Sequence, residues 1–174
     1  MTQIQNQRQM SSSLLVPDAL SHLGLSGSLA QVESSIVSGS LVLEWMDRFA
    51  GIDWVVKDSE NNIGGIASRI RFVSAAHPYP YEEFTVRCDK YYGAISEYDK
   101  RIHAIKHGYM FPTFTMQSWY SGSVFLCGAY ILTKDLYKFA EEFEYLVSTE
   151  HSDREFKAIK WHDLERTGYK IVVK

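Results

Sequence analysis

Arg69, Arg71 and Arg87 fall on two short segments, residues 63–72 and 84–87, whose β-branched and aromatic content reads as strand. Successive strand residues face opposite ways, so Arg69 and Arg71 share one face with Ala67. A guanidinium offers a planar fork of N–H donors that matches phosphate oxygens, and three of them on neighbouring strands would form a phosphate-contacting patch. The plainer reading makes that face the solvent side of the sheet. Gln117 and Trp119 sit at i and i+2 of another strand-like segment, 114–121, which sets a polar contact beside an aromatic one. Carboxylates and an amine surround this group. Glu44 lies on a helical stretch, Asp53 opens a strand, and Glu97 and Lys100 are three residues apart on one helix face. Each has a bland counterpart: a turn carboxylate for Asp53, a solvated helix position for Glu44, and an exposed i,i+4 pair for Glu97 with Arg101.

Other motifs carry less. Gly64-Gly65 belongs to neither GxGxxG nor GxxxxGK[ST], so no phosphate loop is implied. His103 and His107 have the i,i+4 spacing of a helical zinc pair, but HExxH needs Glu at the position of Ala104; they read as a solvated helix end, where a cationic imidazole suits the helix dipole. Trp161-His162-Asp163 places His beside a carboxylate, yet neighbours on an extended segment diverge. Cys88 and Cys127 form no CxxC pair, which excludes a disulfide framework and a Cys-based zinc site.

The order of Glu44 on a helix, Asp53 on the next strand and Ile66-Ala67-Ser68-Arg69 on the strand after a turn resembles the core of the PD-(D/E)xK nuclease superfamily, the restriction-endonuclease-like fold, over roughly residues 40–120. A helix at 96–107 and a strand at 114–121 follow, as the family requires. The resemblance implies a Mg²⁺ site in which carboxylates hold the ion, the ion polarises a phosphate, and a lysine orients or activates water. Carried over by position, Asp53 matches the first metal ligand, Glu44 the optional helix carboxylate, and Arg69 the lysine. Two departures stand out. The carboxylate two residues before the lysine position is Ala67, and arginine does not deprotonate near neutral pH, so Arg69 would clamp phosphate without acting as a base. Glu97 is the substitute carboxylate and Lys100 the substitute ammonium, since the helix after the strands can project back over them. The catalytic set implied is Asp53, Arg69, Glu97 and Lys100; the metal set is Asp53, Glu97 and Glu44; the nucleic-acid contacts are Arg71, Arg87, Gln117 and Trp119.

The elements that must position these residues follow from periodicity. Residues 1–13 are polar and read as a flexible tail, leaving 14–174 as a single domain. Pro17-Asp18 opens a brief helix through Leu20 and Leu23. From Ser28 to Ala50 the apolar spacing is helical, weakened at Gly39 and ended by Gly51. Strands follow at 52–57 and 63–72, and His77-Pro78-Tyr79-Pro80-Tyr81 is a loop because proline cannot continue a central strand. Strand 84–87, the helix ended by Gly108, a hairpin of 114–121 with 124–132, and a helix 134–147 capped by Thr133 come next. Strands at 156–161 and 169–173, turned by Arg166-Thr167-Gly168, close the chain. The expected architecture is a mixed α/β (α+β) sheet flanked by helices.

Net charge over the 174 residues is −3. It divides unevenly: 3 Lys or Arg against 7 Asp or Glu in residues 1–60, 7 against 5 in 61–132, and 8 against 9 in 133–174. A uniformly basic coat is excluded, while the middle third remains net positive and carries most of the candidate residues. That third also holds Tyr79, Tyr81, Tyr91, Tyr92, Tyr109, Phe111, Trp119 and Tyr120, which suit base stacking, a protein interface, or core and loop packing. No apolar run has membrane-spanning length, no apolar h-region follows the first residues, and two unpaired cysteines fit a reducing, cytoplasmic setting. Two functions are therefore expected: a nucleic-acid-processing or nucleic-acid-binding protein, possessing or having lost Mg²⁺-dependent cleavage, and a non-catalytic protein-binding module such as an inhibitor or adaptor from a phage or mobile element.

Overall fold

A computed structural model of the chain describes residues 14–25, 27–32, 46, 50–57, 59–88, 95–148 and 155–174. Its elements are helix α1 (14–22), strands β1 (Ser28–Gln31), β2 (Trp54–Lys57), β3 (Ile63–Phe72) and β4 (Glu83–Arg87), helix α2 (Glu97–His107), strands β5 (Phe114–Ser121) and β6 (Val124–Leu132), and helix α3 (Thr133–Glu142). A 3₁₀ turn (Glu144–Leu146), β7 (Val147–Ser148), β8 (Phe156–Lys160), α4 (Trp161–Arg166) and β9 (Ile171–Val173) complete the chain. The fold is α+β. Six strands form one sheet in the order β1-β2-β3-β5-β6-β9, and three form a second in the order β4-β8-β7. Among the described strands only β3 and β5 run parallel, because the chain between them crosses over through β4 and α2 instead of turning back in a hairpin.

Alternation on β3 and β5 builds a core on each side of the large sheet. Ile66, Met116 and Tyr120 point to one face, where Val16, Leu20 and Leu23 of α1 and its following turn close over them. Trp119, Ala129 and Ile131 point to the other, against Leu136 and Phe139 of α3, Phe84 and Ile159 of the small sheet, and Trp161 and Leu164 of α4. Both clusters are nearly waterproof: Ile66, Tyr120, Phe139 and Ile159 have no accessible surface.

Three expectations change. Residues 28–31 are not the start of a helix; they pair antiparallel with β2, Leu29 opposite Val56, and so extend the sheet by an edge strand. The rest of that stretch lies largely outside the described residues, as do the tail 1–13 and Glu44. Thr133 does not cap α3. Its hydroxyl meets that of Thr115 at 2.9 Å, and α3 ends at Glu142, short of the expected Val147. Residues 161–166 form a helix where an extended segment and turn were expected. Trp161 and Leu164 fall three apart and both enter the core, the Thr167 hydroxyl donates to the Asp163 and Leu164 carbonyls, and Gly168 at φ +86° ends the turn.

Candidate functional site

Strand β4 forms the floor plan of the site. Its even-numbered residues bond β8 and the segments continuing it: the Trp161 amide donates to the Glu82 carbonyl (2.9 Å) and the Cys88 amide to the Glu155 carbonyl (2.8 Å). Antiparallel pairing alternates, so the peptide groups of Glu83 and Thr85 open to the far edge of the small sheet. An unpaired edge there would leave donors and acceptors desolvated. Side chains of the large sheet meet that need. Gln117 accepts from the Thr85 amide through Oε1 (3.2 Å) and donates through Nε2 to the Glu83 carbonyl (2.6 Å). Its carboxamide thus takes the place of a neighbouring peptide. Trp119, two residues on, donates Nε1–H to the Tyr81 carbonyl at 2.8 Å.

The arginines of β3 join the same edge. Arg69 donates through Nη1 to the Thr85 carbonyl (2.6 Å) and hydroxyl (2.8 Å), and through Nη2 to Glu97 Oε2 (3.2 Å). Arg71 donates through Nη2 to the same Thr85 hydroxyl at 2.9 Å. Two guanidinium groups are therefore held side by side on one oxygen. Burial and the neighbouring Arg69 lower the proton affinity of Arg71, and the charge of Glu83 partly restores it. The Arg69–Glu97 pair keeps about a third of each side chain in solvent (27% and 35%). Glu97 reaches β3 because Ser96 caps α2, its hydroxyl accepting from the Asp99 amide (3.0 Å), which aims the first turn at the strand. Lys100 lies three residues along that helix and is exposed; Arg87 is exposed at the end of β4.

Asp53 sits apart from this group in its bonding. The β2–β3 ladder continues through the Asp53 amide to the Ile66 carbonyl (2.9 Å), and then Asp53 Oδ2 accepts from the Ser68 amide (2.6 Å) and hydroxyl (3.3 Å). The carboxylate thus extends the ladder by one acceptor beyond the end of β2. Ser68 and Arg69 face opposite sides of β3, so Asp53 joins the strand at its edge while Glu97 meets Arg69 on one face. A Mg²⁺ site of the resembled type needs converging carboxylates. Ala67 supplies none, Asp53 and Glu97 are bonded as described, and among the described residues no three His, Cys, Asp or Glu side chains are grouped to hold an ion. Glu44, the third carboxylate of the expected set, lies outside the described residues.

The plainer reading of Arg101 as the exposed i,i+4 partner of Glu97 is corrected: Glu97 pairs with Arg69, and Arg101 turns inward. It is buried (7% exposed), it donates through Nη1 to the Ala50 carbonyl, and it lies against Tyr137, whose hydroxyl burial pushes far up in pKa. Gly51 was the available signal: at φ +60°, a Cβ there would come within 2.7 Å of the Arg101 guanidinium. The remaining nucleophile candidates are unactivated. Burial raises Cys127 to about 11, with Glu82 adding to the effect, and burial also raises Cys88. His162 and Asp163 do approach, at 3.4 Å, because the segment is helical, but the same Asp163 oxygen also takes Arg166 at 3.3 Å. No helix among the described residues is long and apolar enough to cross a membrane. Comparison of the chain with protein-family models, with curated proteins and with solved structures finds no match in any of the three.

Proposed function

We propose that this chain binds nucleic acid without cutting it, through a phosphate-contacting surface centred on Arg71 and Arg69. The observation that carries the reading is the shared Thr85 hydroxyl, which keeps two guanidinium groups adjacent and half-buried. Like charges held together in a partly desolvated setting are stabilised by an oxyanion, and arginine keeps its charge despite the repulsion. Exposed Arg87 and Lys100 extend the cationic surface, and the exposed Tyr81 ring, 5.7 Å from that of Trp119, the β5 partner of Arg71, offers a stacking position. Gln117 and Trp119 serve this surface indirectly, by fixing β4.

Labelled single- and double-stranded DNA and RNA, titrated with the protein at low salt and followed by fluorescence anisotropy, test the reading. Salt-sensitive binding with intact substrate after incubation in Mg²⁺ or Mn²⁺ is the expected result. Cleavage that disappears in Asp53→Ala would replace it with the catalytic form, in which Asp53, Glu97 and Glu44 hold Mg²⁺.

A second reading, a protein-binding module, rests on a separate observation. Phe72, Tyr81, Val124 and Leu126 are exposed around one end of the large sheet, tied together through Trp119, Tyr120 and Ser121. Exposed aromatic and aliphatic groups concentrated in one place are typical of interaction surfaces. Co-purification of a stoichiometric protein partner that survives high salt, without nucleic-acid retention, would favour it.

A further inference from the structure

We propose that His103 and His107, at the C-terminal end of α2, form a binding site for a tetragonal divalent transition ion, Cu²⁺ or Ni²⁺. The two residues are one helical turn apart and exposed, and their ring centroids are 4.3 Å apart. Two imidazoles sharing one ion at about 2.0–2.1 Å per nitrogen, with a bite near 90°, have centroids about 4.5 Å apart. The observed spacing lies within reach of a shared ion, and two imidazoles completed by water give the tetragonal N,O set that suits Cu²⁺ and Ni²⁺.

The surroundings hold the pair in place. Gly108, at φ +67°, caps the helix and turns the chain back, and the Tyr109 amide donates to the Ala104 carbonyl at 2.9 Å. The Tyr109 ring then lies against both imidazoles, 5.5 Å from His103 and 5.8 Å from His107. Neither imidazole has a hydrogen bond or ion pair among the described residues, so no partner must be displaced. The adjacent cation, Lys106, is drawn off by Glu141 at 2.8 Å. The helix C-terminus adds its negative dipole end, which favours a cation. The site is independent of the arginine surface and of the nucleic-acid reading.

Titration of the whole chain with NiCl₂ or CuCl₂ at neutral pH, in a weakly coordinating buffer, tests the site by calorimetry. One ion per chain is expected. His103→Ala or His107→Ala should each lower affinity on the order of tenfold to a hundredfold, because the second ligand acts at a high effective concentration. His162→Ala, which changes another exposed imidazole, should leave affinity unchanged. Electron paramagnetic resonance of the Cu²⁺ complex supplies a readout on the unaltered chain, with hyperfine coupling from two imidazole nitrogens expected. Equal affinity in the wild type and His107→Ala, or coupling from one nitrogen only, would overturn the proposal.

Discussion

Gln117 is the right size and shape to stand in for a peptide group, and the structure uses it so. Its amide meets one donor and one acceptor of β4, with the Thr85 hydroxyl also directed at Oε1 (3.1 Å). Gln117→Ala leaves the Thr85 amide and Glu83 carbonyl without these partners and should cost about 1–3 kcal/mol in a urea unfolding measurement. Gln117→Glu keeps the acceptor and removes the donor, so it should be destabilising at neutral pH as well. Asp53→Ala removes the acceptor for the Ser68 amide and should cost a similar 1–3 kcal/mol without altering oligonucleotide affinity. A loss of affinity at unchanged stability would instead place Asp53 at the nucleic-acid surface. The sequence exposed the shared face of Arg69 and Arg71, and that of Gln117 and Trp119, through two-residue alternation. It could not show that β4 lies across both faces, because that contact joins residues 14 to 38 positions apart and leaves no local pattern.

At the level of elements, periodicity located the central strands and α2 well, since each has a consistent face and recognisable ends. It failed where tertiary contact outweighed local preference. Residues 28–31 have helical apolar spacing yet gain a full antiparallel partner in β2. Residues 161–166 are too short to show a helical period, and their conformation is set by burying Trp161 and Leu164. The segment ahead of β2 depends on Gly51. Gly51→Ala would force a Cβ into left-handed backbone and against Arg101, so it should destabilise by at least about 1–2 kcal/mol, read as a lowered Tm. Burial of tyrosines between elements also sets an alkaline limit. Tyr98 and Tyr169 are pushed up to about 12, by burial in both cases, with the Glu142 carboxylate reinforcing Tyr169 through a 2.7 Å bond. Folding favours their protonated forms, so this contribution is complete below pH 10 and is lost as pH rises through about 12. Cys127, raised to about 11 from 9.0, acts in the same direction from a lower starting point. Stability should therefore fall between pH 9 and 12, and Tyr169→Phe should make the fall shallower.

For the whole molecule, the net charge of −3 matters less than where the charges stand. The acidic excess lies in residues 1–60, while the arginine surface is assembled from β3 with β4 at its side and α2 at its rim. An acidic protein with a local cationic surface should bind a polyanion more weakly as ionic strength rises, with a shallow slope because few phosphates are contacted. Arg71 is the residue to vary: it makes one bond to Thr85, whereas Arg69 also holds the β4 carbonyl and Glu97. The most direct measurement is oligonucleotide affinity across a KCl series for the wild type and Arg71→Gln. Removal of one phosphate contact should weaken binding and reduce the slope of log affinity against log salt by about 1. An identical slope in both proteins, or no salt-dependent binding by the wild type, would contradict a phosphate-contacting role for this surface.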